Sequence, residues 1–282
     1  LSRAPAQFCS GAGAAAMKAV RSPALRLWGR LAESAHLRRR ERQTVLEGVH
    51  LLQGYQAKGG IPLHWFIRAS VVADPEVSAL RRHSLWPEAA VLADDLFDEY
   101  SSLQSPGGVA ALVSWPAAPA FLPTEESCLV LDGLQDPGNV GTLLRSAAAA
   151  GMPTVVCASG TVQVWSPKVL RAGMGAHFQL TLHEGADLRD WFPCYAGTIL
   201  GAEREASRAY DDFDLTGTVA LVIGNEGAGL TPDARKLLHD RIHIPMAAGV
   251  ESLNAGVAGS ILLFERQRQI RAGNRERQER QG

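Results

Sequence analysis

The sequence predicts an α/β protein of two domains. Short aliphatic and β-branched runs alternate with helical ones, a proline-rich break (WPAAPAFLPTEE, residues 115–126) divides the alternation, and the strands beyond the break are apolar throughout. Alternation argues strands layered with helices. Continuous apolar strands argue a parallel sheet covered on both faces. A chain of 282 residues has room for two cores. Its 46% hydrophobic and 20% charged content excludes the disordered and fibrous classes.

Before the break, helices are expected at 25–35, 49–57, 75–82 and 94–101, and strands at 44–46, 63–68, 89–92 and 109–114. Beyond it, strands are expected at 128–131, 154–157, 198–200, 219–223 and 241–244, with an Ala-rich helix reaching Ala150 after the first. Residues 253–264 read as a further helix, apolar on nearly every side and so expected to be buried. That run is far too short to span a membrane. The expected organisation is a start artefact or disordered tail at 1–16, a first domain at 17–114, a linker at 115–126, a second domain at 127–270 and a charged tail at 271–282.

A net charge of -1 says nothing in favour of a polyanionic partner, but the charge is unevenly spread. Between residues 17 and 50, eight basic side chains (Lys18, Arg21, Arg26, Arg30, Arg38, Arg39, Arg40, Arg42) stand against three acidic ones (Glu33, Glu41, Glu47). Such an excess either tracks a phosphate backbone or is a solvated helical face. Four cysteines without a CxxC pair, and with no secretory segment before them, lead us to expect a reduced, cytoplasmic compartment. The eight histidines are scattered, with no HExxH and no Cys/His cluster, so no metal is expected.

Three loops at expected strand ends are rich in Gly, Asn and Pro: DGLQDPGNVGTLLRSA (132–147), LVIGNEGAGL (221–230) and IPMAAGVESLNAGVA (244–258). Singly, each has a plain reading. Asn139 would cap a helix, with Arg145 two turns on and roughly on the same face. Ser252 would cap the helix after it. The middle loop runs GxxGxG with Glu226 inside it, which is neither a dinucleotide fingerprint nor a phosphate loop.

Together, in this order and at successive strand ends, the loops resemble the three motifs of the SpoU/TrmH family of RNA 2′-O-ribose methyltransferases, members of the SPOUT class. The resemblance spans residues 127–265. It extends more loosely upstream, where VLEGVHLLQG and LQSPGGVAALV are similar to the ribosomal-protein-like domain that many members carry. It implies a C-terminal SPOUT α/β domain with a parallel sheet and a deep trefoil knot, preceded by a small ribosomal-protein-like α/β domain that binds the RNA substrate. It also implies S-adenosylmethionine as cofactor, ribosomal or transfer RNA as partner, and a homodimer formed through the knotted domain.

Residue by residue, the resemblance implies that Arg145, Asn139, Glu226, Ser252 and Asn254 form the catalytic rim. Gly224, Ile244 and Leu253 would hold the cofactor, with Asn225 and Met246 beside them and Leu200 a looser candidate. In the first domain Arg38, Arg39, Arg40 and Arg42, expected on a loop, would contact RNA. A guanidinium is almost never deprotonated, so Arg145 is expected to stabilise alkoxide charge rather than act as base. Two other classes compete. A non-catalytic RNA-binding protein on the same scaffold is disfavoured by the presence of all five rim residues. A nucleotide-dependent oxidoreductase lacks the glycine order after the first strand.

Overall fold

The structure is a computed structural model that describes residues 22–103, 107–117 and 119–279. The expected tail at 1–16, with Lys18 and Arg21, lies outside these residues. The chain divides after Trp115 into two compact units.

The first unit comprises α1 (Pro23–Glu33), α2 (Ala35–Glu41), β1 (Gln43–Glu47), α3 (Val49–Ala57), β2 (His64–Arg68), α4 (Pro75–Arg81), β3 (Ala90–Leu92), α5 (Asp94–Tyr100) and β4 (Val109–Ser114). Its sheet has the order β1-β4-β2-β3, with β4 antiparallel to both neighbours and β3 parallel to β2. Trp28 of α1 anchors the core, stacked on Phe66 and edge-on to Phe97, each at 5.1 Å. The helix expected over 25–35 is α1, displaced by two residues, and a second helix, α2, follows it where a loop was expected. Ser34 ends α1, and its hydroxyl accepts from Leu37 N at 3.1 Å, so one residue closes one helix and caps the next.

The second unit comprises β5 (Cys128–Asp132), α6 (Pro137–Ala150), β6 (Thr154–Ala158), α7 (Pro167–Gly173), β7 (Thr181–Ala186), α8 (Leu188–Trp191), β8 (Thr198–Ala202), β9 (Arg208–Ala209), β10 (Val219–Gly224), α9 (Pro232–Leu237), β11 (Asp240–His243) and α10 (Ala255–Glu279). All seven strands are parallel, in the order β7-β6-β5-β10-β8-β11-β9. The α/β class and the parallel sheet are as expected. From β5 the chain runs outward to β6 and β7, then returns to the other side, where β10 inserts between β5 and β8. The winding reverses between β5 and β10. A parallel sheet opens a crevice for ligands at such a point, beyond the carboxyl ends of its strands.

Two expectations about boundaries fail. Residues 123–126, assigned to a linker, are strapped to the second unit: Trp191 Nε1 donates to Pro123 O at 2.7 Å, Ala196 N to Thr124 O at 2.8 Å and Tyr195 Oη to Glu126 O at 2.9 Å. The helix expected at 253–264 starts at Ala255 and continues to Glu279, through most of the expected charged tail. Nor is it buried on every side, since Val257 and Phe264 are 47% and 45% exposed. Its inner face is built by Gly256, Gly259, Leu262 and Leu263. A Cβ on Gly259 would lie 2.4 Å from Leu143 Cδ2, so the glycine lets α10 approach α6 closely.

Candidate functional site

The loops after β5 and β10 are fastened to each other by side chains. Asp136 caps α6, its Oδ1 accepting from Asn139 N at 2.7 Å, and Pro137 occupies the first turn, where its missing N–H costs nothing. Asn139 is therefore not the cap. It is buried one turn in, and its Nδ2 donates to Glu226 Oε1 at 3.0 Å. Glu226 also accepts from Gln135 N and Asp136 N, each at 3.2 Å. Burial alone would raise the Glu226 carboxyl, but these hydrogen bonds together outweigh it and hold the group below the usual carboxylate range. Glu226 is thus an ionised clamp between two loops.

Asn225 builds the turn that carries Glu226. It exchanges both backbone hydrogen bonds with Gly229 at 2.9 Å, its Oδ1 accepts from Gly227 N and Ala228 N at 3.0 Å, and its Nδ2 donates to Gly133 O at 2.9 Å. Its polar groups are engaged within the protein, which leaves it shaping the wall rather than offering a hydrogen bond. Gly224 precedes it for a steric reason: a Cβ there would sit 2.4 Å from Gly229 C and Leu230 N. Asp132, at the end of β5, accepts from Thr231 N at 2.7 Å and completes the tie between the strands.

A cavity of about 620 Å³ opens at the carboxyl ends of β8, β10 and β11. Of the residues expected to hold the cofactor, Gly224, Asn225, Ile244, Met246 and Leu253 line it, as do Glu226, Ser252 and Asn254 from the expected catalytic rim. Leu200 does not. It is 1% exposed inside β8, and the strand end two to five residues later, Ala202 to Glu205, forms the wall instead. Ser252 does not cap α10 either. Asn254 does, its Oδ1 accepting from Val257 N at 3.2 Å. A Cβ on Gly256 would meet Asn254 Oδ1 at 3.1 Å and Asn139 Oδ1 at 3.3 Å, so this glycine is where the first and third motifs touch.

Asn139 and Arg145 of the expected rim do not line the cavity: Asn139 is tied to it through Glu226, and Arg145 has no such tie. Six residues turn a helix by about 600°, leaving Arg145 about 120° around α6 from Asn139, not on the same face. Its side chain is exposed, does not line the cavity, and makes no hydrogen bond or ion pair among the described residues. Sequence reasoning missed Glu203, Arg204, Arg235 and Arg241, which line the cavity beside β8 and β11. The signal was positional: Glu203 and Arg204 follow a strand whose carboxyl end lies beside that of β10.

In the first unit, the arginines expected on a loop lie on α2, with Arg42 at its left-handed C-cap (φ 52°). Arg38 is removed from the RNA-contact set. It is 5% exposed, and its guanidinium donates to Leu31 O at 2.6 Å and Ala32 O at 3.2 Å, closing the end of α1. Arg39, Arg40 and Arg42 are exposed, with Arg40 paired to Glu41 at 2.7 Å.

Comparison with known proteins matches residues 126–264 to the SpoU rRNA Methylase family. The chain is 31% identical over 302 residues to the mouse (Mus musculus) mitochondrial rRNA methyltransferase 3, covering 86% of this chain and 71% of that protein. It is similar to the solved structure of the SpoU methyltransferase AviRb from Streptomyces viridochromogenes in complex with the cofactor AdoMet. The TM-score is 0.79 at 28% identity, over 88% of this chain and 98% of that one. A crystal structure of an RNA 2′-O ribose methyltransferase matches with a TM-score of 0.75 at 27% identity, over 89% of this chain and 97% of that one.

Proposed function

The chain belongs to the SpoU rRNA methylase family, and from that premise we propose that it transfers a methyl group from S-adenosylmethionine to a ribose 2′-hydroxyl of ribosomal or transfer RNA. The observation that carries the reading is the cavity itself, at the carboxyl ends of β8, β10 and β11 next to the winding reversal and walled by the loops that follow those strands, with Glu226 tying its β10 side to the 135–139 turn behind it.

The lining fits this cofactor. Its volume lies within the roughly 300–1,000 Å³ of small-molecule pockets. Ile223, Ile244, Met246 and Leu253 offer apolar surface for an adenine. When bound, S-adenosylmethionine supplies an electrophilic methyl group on a sulfonium. The protein's task is to set a ribose hydroxyl in line with that methyl and to ease the loss of its proton. Glu226 is poorly suited to be the base, because its oxygens are occupied by the donors of the 135–139 turn. Arg145, permanently charged, stabilises the developing alkoxide and grips the adjacent phosphate, and the proton passes to that phosphate or to water.

Arg145 reaches this position in a homodimer. α6, which carries the exposed Thr142 and Arg145, packs against α10, which carries the exposed Val257 and Phe264, the two helices being joined through Ser146 and Ser260, whose hydroxyls are 2.7 Å apart. Exposed apolar side chains on one helix and an exposed arginine on the helix packed against it suit a face that a second copy covers, which delivers Arg145 to the partner's cavity. The family's trefoil knot belongs to the same reading, and the return of α10 from β11 to α6 supports it. In the first unit, a ribosomal-protein-like domain, Arg39, Arg40 and Arg42 contact the RNA backbone.

Calorimetric titration with S-adenosylmethionine tests the site. The wild-type chain binds it and a Leu253→Arg variant of unchanged thermal midpoint does not. Equal affinity in the two would remove the cofactor from this cavity.

A further inference from the structure

Glu203 is the first residue after β8, and its backbone N–H donates to Ile242 O of β11 at 3.0 Å. Its side chain is only 8% exposed although it lines the cavity. Oε1 accepts from Arg235 Nε at 2.7 Å and lies 2.6 Å from Arg235 Nη2, while Oε2 accepts from Arg241 Nη1 at 3.1 Å. Arg235 belongs to α9 and Arg241 to β11, so one carboxylate fastens a helix and a strand to the end of a third element. Beneath it, a Cβ on Gly201 would lie 2.4 Å from Leu238 Cδ1 and 2.7 Å from Leu230 Cδ1, so this wall is close-packed up to the carboxylate. The next residue, Arg204, donates to Glu251 O at 3.1 Å and links the same turn to the 244–254 loop.

We propose that Glu203 is a positioning residue for S-adenosylmethionine: through Arg235 and Arg241 it fixes the wall that the ends of β8 and β11 present to the cofactor. The inference rests on the reading of the cavity as the cofactor site. Glu226 fixes the wall on the β10 side, and Glu203 does the same for the opposite wall. Removing its charge takes away the acceptor that both guanidinium groups, each about half exposed, share from opposite sides, and the helix and strand that carry them are no longer drawn to the same point. A glutamine in its place keeps the volume but turns a donor toward the arginines.

The test compares two buried, arginine-paired carboxylates. Glu265, on α10 and outside the cavity, is 9% exposed and accepts from Arg268 Nε and Nη2, each at 2.7 Å. Glu203→Gln and Glu265→Gln are titrated calorimetrically with S-adenosylmethionine, and their thermal midpoints are measured without it. Glu203→Gln weakens binding about tenfold or more, whereas Glu265→Gln stays within twofold of wild type at a comparable midpoint. Affinity within twofold for Glu203→Gln, or equal weakening in both variants, overturns the inference while leaving the cofactor site standing. Absence of binding by the wild-type chain overturns the site itself, and the inference with it.

Discussion

Asn139 and Glu226 stand 87 residues apart in the chain, and the side-chain amide of the first donates to the carboxylate of the second at 3.0 Å. The bond joins two motifs across the point where the sheet reverses its winding. Glu226→Gln replaces one of the two accepting oxygens by a donor, which opposes either the N–H of Gln135 or those of Asp136 and the Asn139 amide. Methyl transfer falls at least about tenfold, with the thermal midpoint nearly unchanged because the group is surface-accessible. The wild-type clamp is also acid-sensitive in a defined direction. A carboxyl held low contributes above its ordinary titration range, near 4.5, and loses that contribution as pH falls through its folded value. Affinity for S-adenosylmethionine measured from pH 7 to pH 3.5 declines at the acid end in wild type and less so in Glu226→Gln.

Arg145 separates binding from chemistry. Because it lies outside the cavity of its own chain, Arg145→Ala leaves cofactor affinity within about threefold and lowers methyl transfer by about 100-fold or more, the scale for losing a group that stabilises developing negative charge. Mixing Arg145→Ala chains with Leu253→Arg chains restores transfer, since one cavity of the mixed dimer has an intact lining and receives an intact arginine. Failure of the mixture to exceed either variant alone argues that Arg145 serves its own subunit.

Gly224 admits no side chain. The atoms a Cβ would strike, Gly229 C and Leu230 N at 2.4 Å, are backbone and cannot rotate aside. Gly224→Ala destabilises the second unit by roughly 1–3 kcal/mol and weakens S-adenosylmethionine at least tenfold, read by urea unfolding and by titration. Wild-type affinity in this variant would mean that the turn is not part of the cofactor wall.

His177 gives the second unit a pH-dependent stability remote from the cavity. Fully buried, it has one ring nitrogen 2.8 Å from Val164 O and the other without a partner. Burial pushes its pKa down to about 4, against an ordinary 6.5. Between those values the unfolded chain binds a proton that the folded chain refuses, so stability falls as pH drops from 6.5 toward 4 and levels off below. The full effect is roughly 3 kcal/mol. His177→Gln, which keeps a donor for Val164 O but cannot titrate, flattens that part of the curve; parallel curves for the two proteins contradict the assignment.

Much of this arrangement was legible in the sequence because parallel strands buried on both faces must be apolar, as in the runs at 128–131 and 219–223. The strands that escaped notice are at the edges: β7 (TLHEGA) carries polar residues, and β9 has two residues. Helices α7 and α9 announce themselves by Ser166 and Thr231, each a cap followed by a proline, a signal that Asp136 and Pro137 repeat at α6. Arg38 and Leu200 misled for the same reason. Residue type and strand position do not say which side chains the fold consumes, and Arg38 is used to close a helix while Leu200 fills the sheet. Arg145 was misplaced, since its direction relative to the cavity depends on a rotation of about 120° around α6.

The chemistry itself is tested most directly by where the methyl group goes. Ribosomal and transfer RNA incubated with the protein and methyl-deuterated S-adenosylmethionine are digested to nucleosides and analysed by mass spectrometry. The account predicts that the deuterated methyl appears on the ribose, as a 2′-O-methylnucleoside, and disappears with Arg145→Ala. Label found only on bases, or in no nucleoside from either RNA, would contradict it.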